Sequence, residues 1–384
     1  MKKWIDRTFI AAILFLLLIG LGRTVLFPID VNGYENRYAV QLENPSFTGY
    51  ADEKVQSNME NALNDQIPFS QFGKKLYHYA NSVLLYQIYE RSSIENRYIA
   101  FDQQFTFNQN IVYRPLYLSE IEPALNEKIS GYNRIVEEYP DTEFYLYYIE
   151  KDTDCNFETG EKLGAFDYIK DGLVIQEDHI GCFRTDSFDE FSNDFYRTDH
   201  HWNCRGSYRA YCELLSLLGC SDEPVVRSDE VTLTSFKGSK ATAVLSVWNE
   251  ACFAYRYDFP MYSYRINGEQ AEDYGAQKAY LDGLCSDPIS YSSFYGDDNG
   301  EIIIDSGRGD RENILILGES YDNALLKLIA AHFHKTSSVD LRYYANDMGE
   351  TFSLKDYIAE NDIDKVLLIG NIDYFTLSEF LPED

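Results

Sequence analysis

Basic residues are scarce in this chain: 33 Lys and Arg stand against 63 Asp and Glu, for a formal net charge of −30 over 384 residues. That balance excludes nucleic acid as a partner, because neutralising a phosphate backbone takes clustered Lys and Arg. Closely spaced cysteine pairs are missing as well. None of the seven cysteines, at 155, 182, 204, 212, 220, 252 and 285, stands in a C-x-x-C, which argues against zinc ribbons and thioredoxin-like redox motifs. One or two disulfides could form outside the membrane, and the odd count then leaves at least one thiol unpaired unless it pairs between chains. Cys212, on an expected helix, reads as a core residue. There is no internal repeat, no low-complexity tract and no G-x-S-x-G elbow.

Apolar residues are plentiful enough, at 45%, for a folded globular body. Aromatics are abundant, with 32 Tyr and 24 Phe; most must be core, and Tyr also serves as a flat platform for sugar rings. At the N-terminus Lys2, Lys3 and Arg7 precede an apolar run from Phe9 to Leu21, which Val25, Leu26 and Phe27 extend past Arg23. With Arg23 snorkelling, the run offers about 19 residues of span, close to the ~20 that a bilayer needs. The flanking charges place the body outside the cytoplasm. The expectation is a single-pass anchor over residues 1–28; the alternative is a signal peptide cleaved near Gly20 and Gly22.

Residues 29–95 read as a polar linker and a helical stalk, with helices over Glu53–Leu63 and Phe69–Tyr89. From about residue 96 the pattern is mixed. Ile121–Tyr139 is an expected helix, Phe144–Ile149 a buried strand, and Ser207–Leu218 a helix closed by Gly219. Short strands and turns dominate 225–304 and suggest a β-rich insertion. The chain then alternates: strand Ile314–Leu317, helix to His334, strand Val339–Tyr343, helix, strand Lys365–Ile369. Such alternation predicts an α/β fold, a three-layer domain over 96–384 with a parallel sheet covered on both faces.

Three short segments carry chemistry. In Arg197-Thr198-Asp199-His200-His201-Trp202-Asn203, an extended backbone would project Asp199 and His201 to one side, so that the carboxylate orients one imidazole nitrogen and frees the other as a base. Asn203 is a plausible N-cap for the helix that follows. In Ile314-Leu315-Ile316-Leu317-Gly318-Glu319-Ser320-Tyr321, an apolar strand delivers Ser320 to the C-terminal edge of a parallel sheet and to a helix start, where free N–H groups can stabilise an oxyanion. An N-cap serine explains that segment equally well on its own. Val366–Asn371 repeats the pattern and offers the Asn371 amide as a further oxyanion donor beside the Ser320 and Tyr321 backbone. His332 and His334 fit a helix C-terminus better than a metal site, and His78 and His179 lack ligand-spaced partners.

Taken together, these segments resemble the DHHW proteins, whose name-giving motif matches Asp199-His200-His201-Trp202, and through them the SGNH-hydrolase-like alginate O-acetylation proteins. Glu35-Asn36-Arg37, Asp65-Gln66-Ile67-Pro68-Phe69, Phe236-Lys237-Gly238-Ser239 and Asp340-Leu341-Arg342-Tyr343-Tyr344 resemble further family elements in the same order. The resemblance implies an SGNH-like fold in the permuted order, Asp and His before Ser. Ser320 would be the nucleophile, His201 the general base and Asp199 its orienting carboxylate, with no cofactor and no metal. Two departures stand out: Glu319 replaces the usual Asp before the serine, and His200 occupies a Thr position. The implied activity is acyl transfer, of acetyl in the first place, onto an extracellular or cell-envelope polysaccharide, with a multi-pass membrane acyltransferase delivering the donor. Deacetylation by water and a non-catalytic polymer-binding scaffold are the rival expectations. No substrate-binding residue is identified from the sequence.

Overall fold

Helical spacing ahead of residue 92 resolves, in the computed structural model of the chain, into α1 (Lys2–Leu26), α2 (Lys54–Gln66) and α3 (Ser70–Arg91). The structure describes residues 2–382 apart from 27–30, 33–36, 43–49, 51–53, 67–69, 93, 102–103, 245–247 and 288. Glu35, Asn36, Ile67, Pro68 and Phe69, noted above as family elements, lie outside the described residues. Contacts divide the chain into a unit of residues 1–93 with 242–247 and a unit of residues 94–241 with 248–384.

Among the described residues no helix is long and apolar enough to cross a membrane, so the structure does not support the expected span over 1–28. The uninterrupted apolar stretch from Phe9 to Leu21 is thirteen residues, well short of the ~20 a bilayer needs. Its side chains are nevertheless open: Phe9, Leu14, Phe15 and Leu18 are all more than half exposed.

The larger unit is built on one eight-stranded sheet. Its strands are β1 (Glu143–Ile149), β2 (Ile180–Phe183), β3 (Ser263–Ile266), β4 (Glu269–Ala271), β5 (Glu301–Asp305), β6 (Ile314–Leu317), β7 (Lys335–Val339) and β8 (Lys365–Gly370). The spatial order is β4-β3-β5-β7-β6-β8-β1-β2. From β7 to β2 every pairing is parallel; β5, β3 and β4 extend the β7 edge by antiparallel pairing. Part of the expected β-rich insertion is therefore continuous with the main sheet, because Glu301–Asp305 pairs directly with β7.

Alternation within the central strands divides the core. Ile314, Ile316, Leu367 and Ile369 face one cluster, and Leu315, Leu317, Val366 and Leu368 the other, as the period of 2 requires. α4 (Leu118–Glu138) covers the second face with Leu125, Ile129 and Tyr132. α5 (Cys204–Leu217) covers the first with Ala210, Tyr211 and Leu214. Each buried Leu or Ile is worth roughly 1.5–3 kcal/mol, so these two layers clamp the central strands firmly.

Two expectations near the C-terminus are corrected. The helix after Ser320 is only α6 (Leu326–Ala330), and His332 and His334 lie in the turn beyond it. The next strand is β7, Lys335–Val339, which ends where a strand was expected to begin. Asp340 accepts a hydrogen bond from Arg342 N–H and so caps a helix, α7 (Leu341–Met348), in place of that strand. The polar run Lys335-Thr336-Ser337-Ser338 hid the strand; its serines are buried, and Ser338 donates to Asp322 Oδ2 at 3.0 Å. All seven cysteines are free thiols, and Cys212 packs half-buried against the core.

Candidate active site

The segment ahead of α5 bends back on itself over 197–201, where an extended backbone was expected, and is pinned at both ends. Phe195 bridges Trp202 in antiparallel fashion, and Tyr196 N–H donates to His201 O. Asn203 accepts from Arg205 and Gly206 N–H and caps α5, as its position implied. The half-buried Glu250 carboxylate accepts from Arg197 N–H, Thr198 N–H and Thr198 Oγ1 at 2.7–3.0 Å. Burial raises that carboxyl above its ordinary value, and the three donors offset part of the rise.

The element Phe236–Ser239 acquires a physical role. Gly238 lies against this segment so closely that a Cβ there would stand 2.3 Å from Thr198 O. That approach lets Gly238 N–H donate to Thr198 Oγ1 and Ser239 N–H donate to Asp199 Oδ2, the latter at 2.6 Å. The other carboxylate oxygen, Oδ1, accepts from His201 N–H at 3.1 Å and lies 2.7 Å from His201 Nδ1. Burial alone would raise the Asp199 carboxyl, but His201 and the Ser239 N–H outweigh it and hold the group well below the usual carboxylate range.

Across the sheet, β6 delivers Ser320 to the other side of the same imidazole: His201 Nε2 lies 2.7 Å from Ser320 Oγ. Asp199, His201 and Ser320, named from the sequence, thus form one continuous hydrogen-bonded line. Ser320 is partly exposed at its end, whereas Asp199 and His201 are buried. The ring of Tyr291 stacks on His201 with centroids 3.7 Å apart and planes 4° apart. Trp202 is fully buried between Phe183 and Tyr321. Tyr291 was not foreseen, since nothing in its sequence neighbourhood marks it. A short bond from Tyr321 OH to His200 O ties the two loops together.

His200 turns away from the serine. Its Nδ1 lies 2.8 Å from Ser239 Oγ, and partial burial together with His201 and two nearby lysines, Lys151 and Lys240, pushes it well below an ordinary histidine. Ligand-capable atoms of Asp199, His200 and His201 all lie within 4.8 Å of one another, near enough for a cation. His201, however, already commits one nitrogen to Asp199 and the other to Ser320.

The loop from Gly318 to Asp322 is supported differently. Glu319 is buried, and its Oε1 accepts from Asn371 N–H at 3.2 Å and Asn371 Nδ2 at 2.5 Å. Burial pushes this carboxyl up to about 7, against partial compensation from Lys151. Asn371 Oδ1 accepts from Asp373 N–H and caps α8 (Ile372–Thr376). Asn371 thus gives one Nδ2 hydrogen to Glu319 and its Oδ1 to the cap, which leaves its second Nδ2 hydrogen as the donor available to an oxyanion. The backbone N–H groups of Ser320 and Tyr321 have no acceptor among the described residues. His332 Nε2 lies 2.6 Å from Tyr211 OH inside the core, remote from these groups.

Residues 178–339 match the family model described as DHHW protein. Among solved structures the chain is similar to Bacillus cereus PatB1 with a sulfonyl adduct, at 19% identity and a TM-score of 0.56, covering 75% of this chain and 99% of that one. It is similar to a DHHW family protein from Eubacterium siraeum at 14% identity and a TM-score of 0.56, covering 74% and 95%. These two likenesses show the fold. The O-acetyltransferase domain of Pseudomonas putida AlgJ overlaps less well, with 11% identity and a TM-score of 0.39 over 73% and 92%. No curated protein matches the chain.

Proposed function

We propose that this chain is a serine-dependent O-acyltransferase or esterase that acts on an extracytoplasmic glycan through an acyl-enzyme on Ser320. The observation that carries the proposal is the line Asp199 Oδ1–His201 Nδ1–His201 Nε2–Ser320 Oγ, with both contacts at 2.7 Å. An ionised Asp199 fixes the tautomer that leaves Nε2 free to accept the Ser320 proton. Ser320 Oγ then attacks the acyl carbonyl, and the Ser320 and Tyr321 backbone N–H groups receive the oxyanion. His201 returns the proton to the leaving group. A sugar hydroxyl, activated by the same imidazole, takes the acyl group from Ser320; water in that place makes the enzyme an esterase.

A polysaccharide acceptor and a membrane acyltransferase as donor partner follow from the resemblance to the alginate proteins. Extracytoplasmic placement rests on Lys2, Lys3 and Arg7 ahead of the apolar α1, whether retained as an anchor or cleaved. The test is turnover of 4-nitrophenyl acetate, alone and with added sugar acceptors. Ser320→Ala and His201→Ala should each abolish it while the proteins still melt cooperatively. Turnover that survives Ser320→Ala would overturn the proposal.

A further inference from the structure

A cavity of about 500 Å³ lies on the antiparallel side of the sheet, and none of its lining residues touches Asp199, His201 or Ser320. Strand register places it well away from the nucleophile. Tyr264 on its wall pairs with Ile304, Ile304 with Thr336, and Thr336 with Ile314, the first residue of β6. Ser320 lies past the other end of β6 and three strands across, a separation on the order of 20 Å from standard strand spacings. The volume falls within the ordinary range for ligand sites.

Its wall carries three successive half-buried rings. The Tyr257 and Phe259 centroids are 5.2 Å apart, and those of Phe259 and Tyr262 6.0 Å apart. Tyr262 is fixed from behind, its hydroxyl donating to Lys327 O at 2.7 Å. The charges on the rim largely cancel: Arg256 pairs with Asp282 at 3.0 Å and Lys327 with Asp273 at 2.5 Å. Among the described residues the side chains of Asp258, Glu272 and Gln277 make no bond to protein. Flat apolar rings beside unengaged carboxylate and amide acceptors suit a ligand with apolar faces and hydroxyl edges. Asp258 and Glu272 outnumber the remaining lining cation, Lys278, so the cavity keeps a net negative charge and, in a chain of net charge −30, would repel an anionic polymer.

We propose that this cavity is a glycan subsite that takes an uncharged hexose or N-acetylhexosamine chain and holds a polymeric acceptor at a distance from Ser320. Its purpose rests on the acyl-transfer proposal; the binding itself does not. The test is calorimetric titration of the full chain in detergent with chitohexaose, cellohexaose and polymannuronate oligomers. One of the neutral hexamers should bind, with affinity reduced at least tenfold by Phe259→Ala and by Gln277→Ala. Gln277→Ala decides the matter should Phe259→Ala fail to melt cooperatively. Failure of both hexamers to bind, tighter binding of polymannuronate, or wild-type affinity in the variants would overturn the subsite. A protein that binds the hexamer yet never reacts through Ser320 would overturn the acyl-enzyme and leave the subsite standing, whereas one that reacts but binds neither hexamer would do the reverse.

Discussion

The two loops that meet at the Ser320–His201 hydrogen bond shift their carboxylates in opposite directions. Asp199 is surrounded by donors, from His201 and from the Ser239 backbone, and stays ionised despite burial. Among the described residues the Glu319 carboxylate, one residue before the serine, takes hydrogen bonds from Asn371 alone, and burial pushes it up to about 7. The first carboxylate supplies charge to the imidazole. The second ties the nucleophile loop to the end of β8 and contributes least when it is ionised. Asp199 thus stays charged because an imidazole as well as backbone donors converge on it, which Glu319 lacks.

Substitutions can break this contrast, and the largest effect is expected at Asp199. Asp199→Asn should keep the shape of the segment but hold His201 in the wrong tautomer, a change worth ~10⁴ in kcat in the serine-protease case. Steady-state turnover of 4-nitrophenyl acetate measures it. A smaller loss is expected from Gly238→Ala, whose new Cβ would meet Thr198 O at 2.3 Å. Backbone must give way, costing about 1–3 kcal/mol of stability by overpacking and withdrawing the Ser239 N–H from Asp199. Thermal melts alongside kcat read both.

The smallest effect should come from Glu319→Gln, and it has a sign. The folded carboxyl titrates near 7, above its ordinary 4.5. Between those values the native state therefore holds more protons than the unfolded chain. This group's contribution to stability is full below about 4.5 and is lost as pH rises through 7, at no more than about 1.4 kcal/mol per pH unit. Glu319→Gln keeps the acceptor for Asn371 and removes the proton, so its melting temperature should fall less between pH 5 and 7.5 than that of wild type. Parallel pH profiles for the two proteins would mean that Glu319 is ionised like Asp199 and that the contrast does not exist.

The same contrast explains what was legible in the sequence. Asp199 and His201 stand one residue apart, and β6 is an apolar run that stops at Gly318, so local pattern revealed both halves of the line. The start of β7 escaped because Lys335-Thr336-Ser337-Ser338 carries no apolar period; Ser338 is buried against Asp322, which lies on another element. Tyr291 and Glu250 meet the histidine segment from distant parts of the chain, and no local spacing announces such contacts. Asn371 was correctly placed at the end of β8. Its partner was missed because only the fold shows that Glu319 comes within 2.5 Å of it. Short strands were expected in 225–304 without being placed, and the pairing of those at 263–266 and 301–305 with the main sheet is non-local too.

The central claim is that Ser320 is the nucleophile and that His201 activates it, and covalent labelling tests it most directly. Wild type, Ser320→Ala, His201→Ala and His200→Ala would each be treated with a sulfonyl fluoride and digested, and the modified residue mapped by mass spectrometry. The expected result is one adduct on Ser320 in wild type, none in Ser320→Ala, labelling slowed at least a hundredfold in His201→Ala, and near wild-type labelling in His200→Ala. Equal labelling of wild type and Ser320→Ala, or an adduct mapped to another residue, would contradict the account.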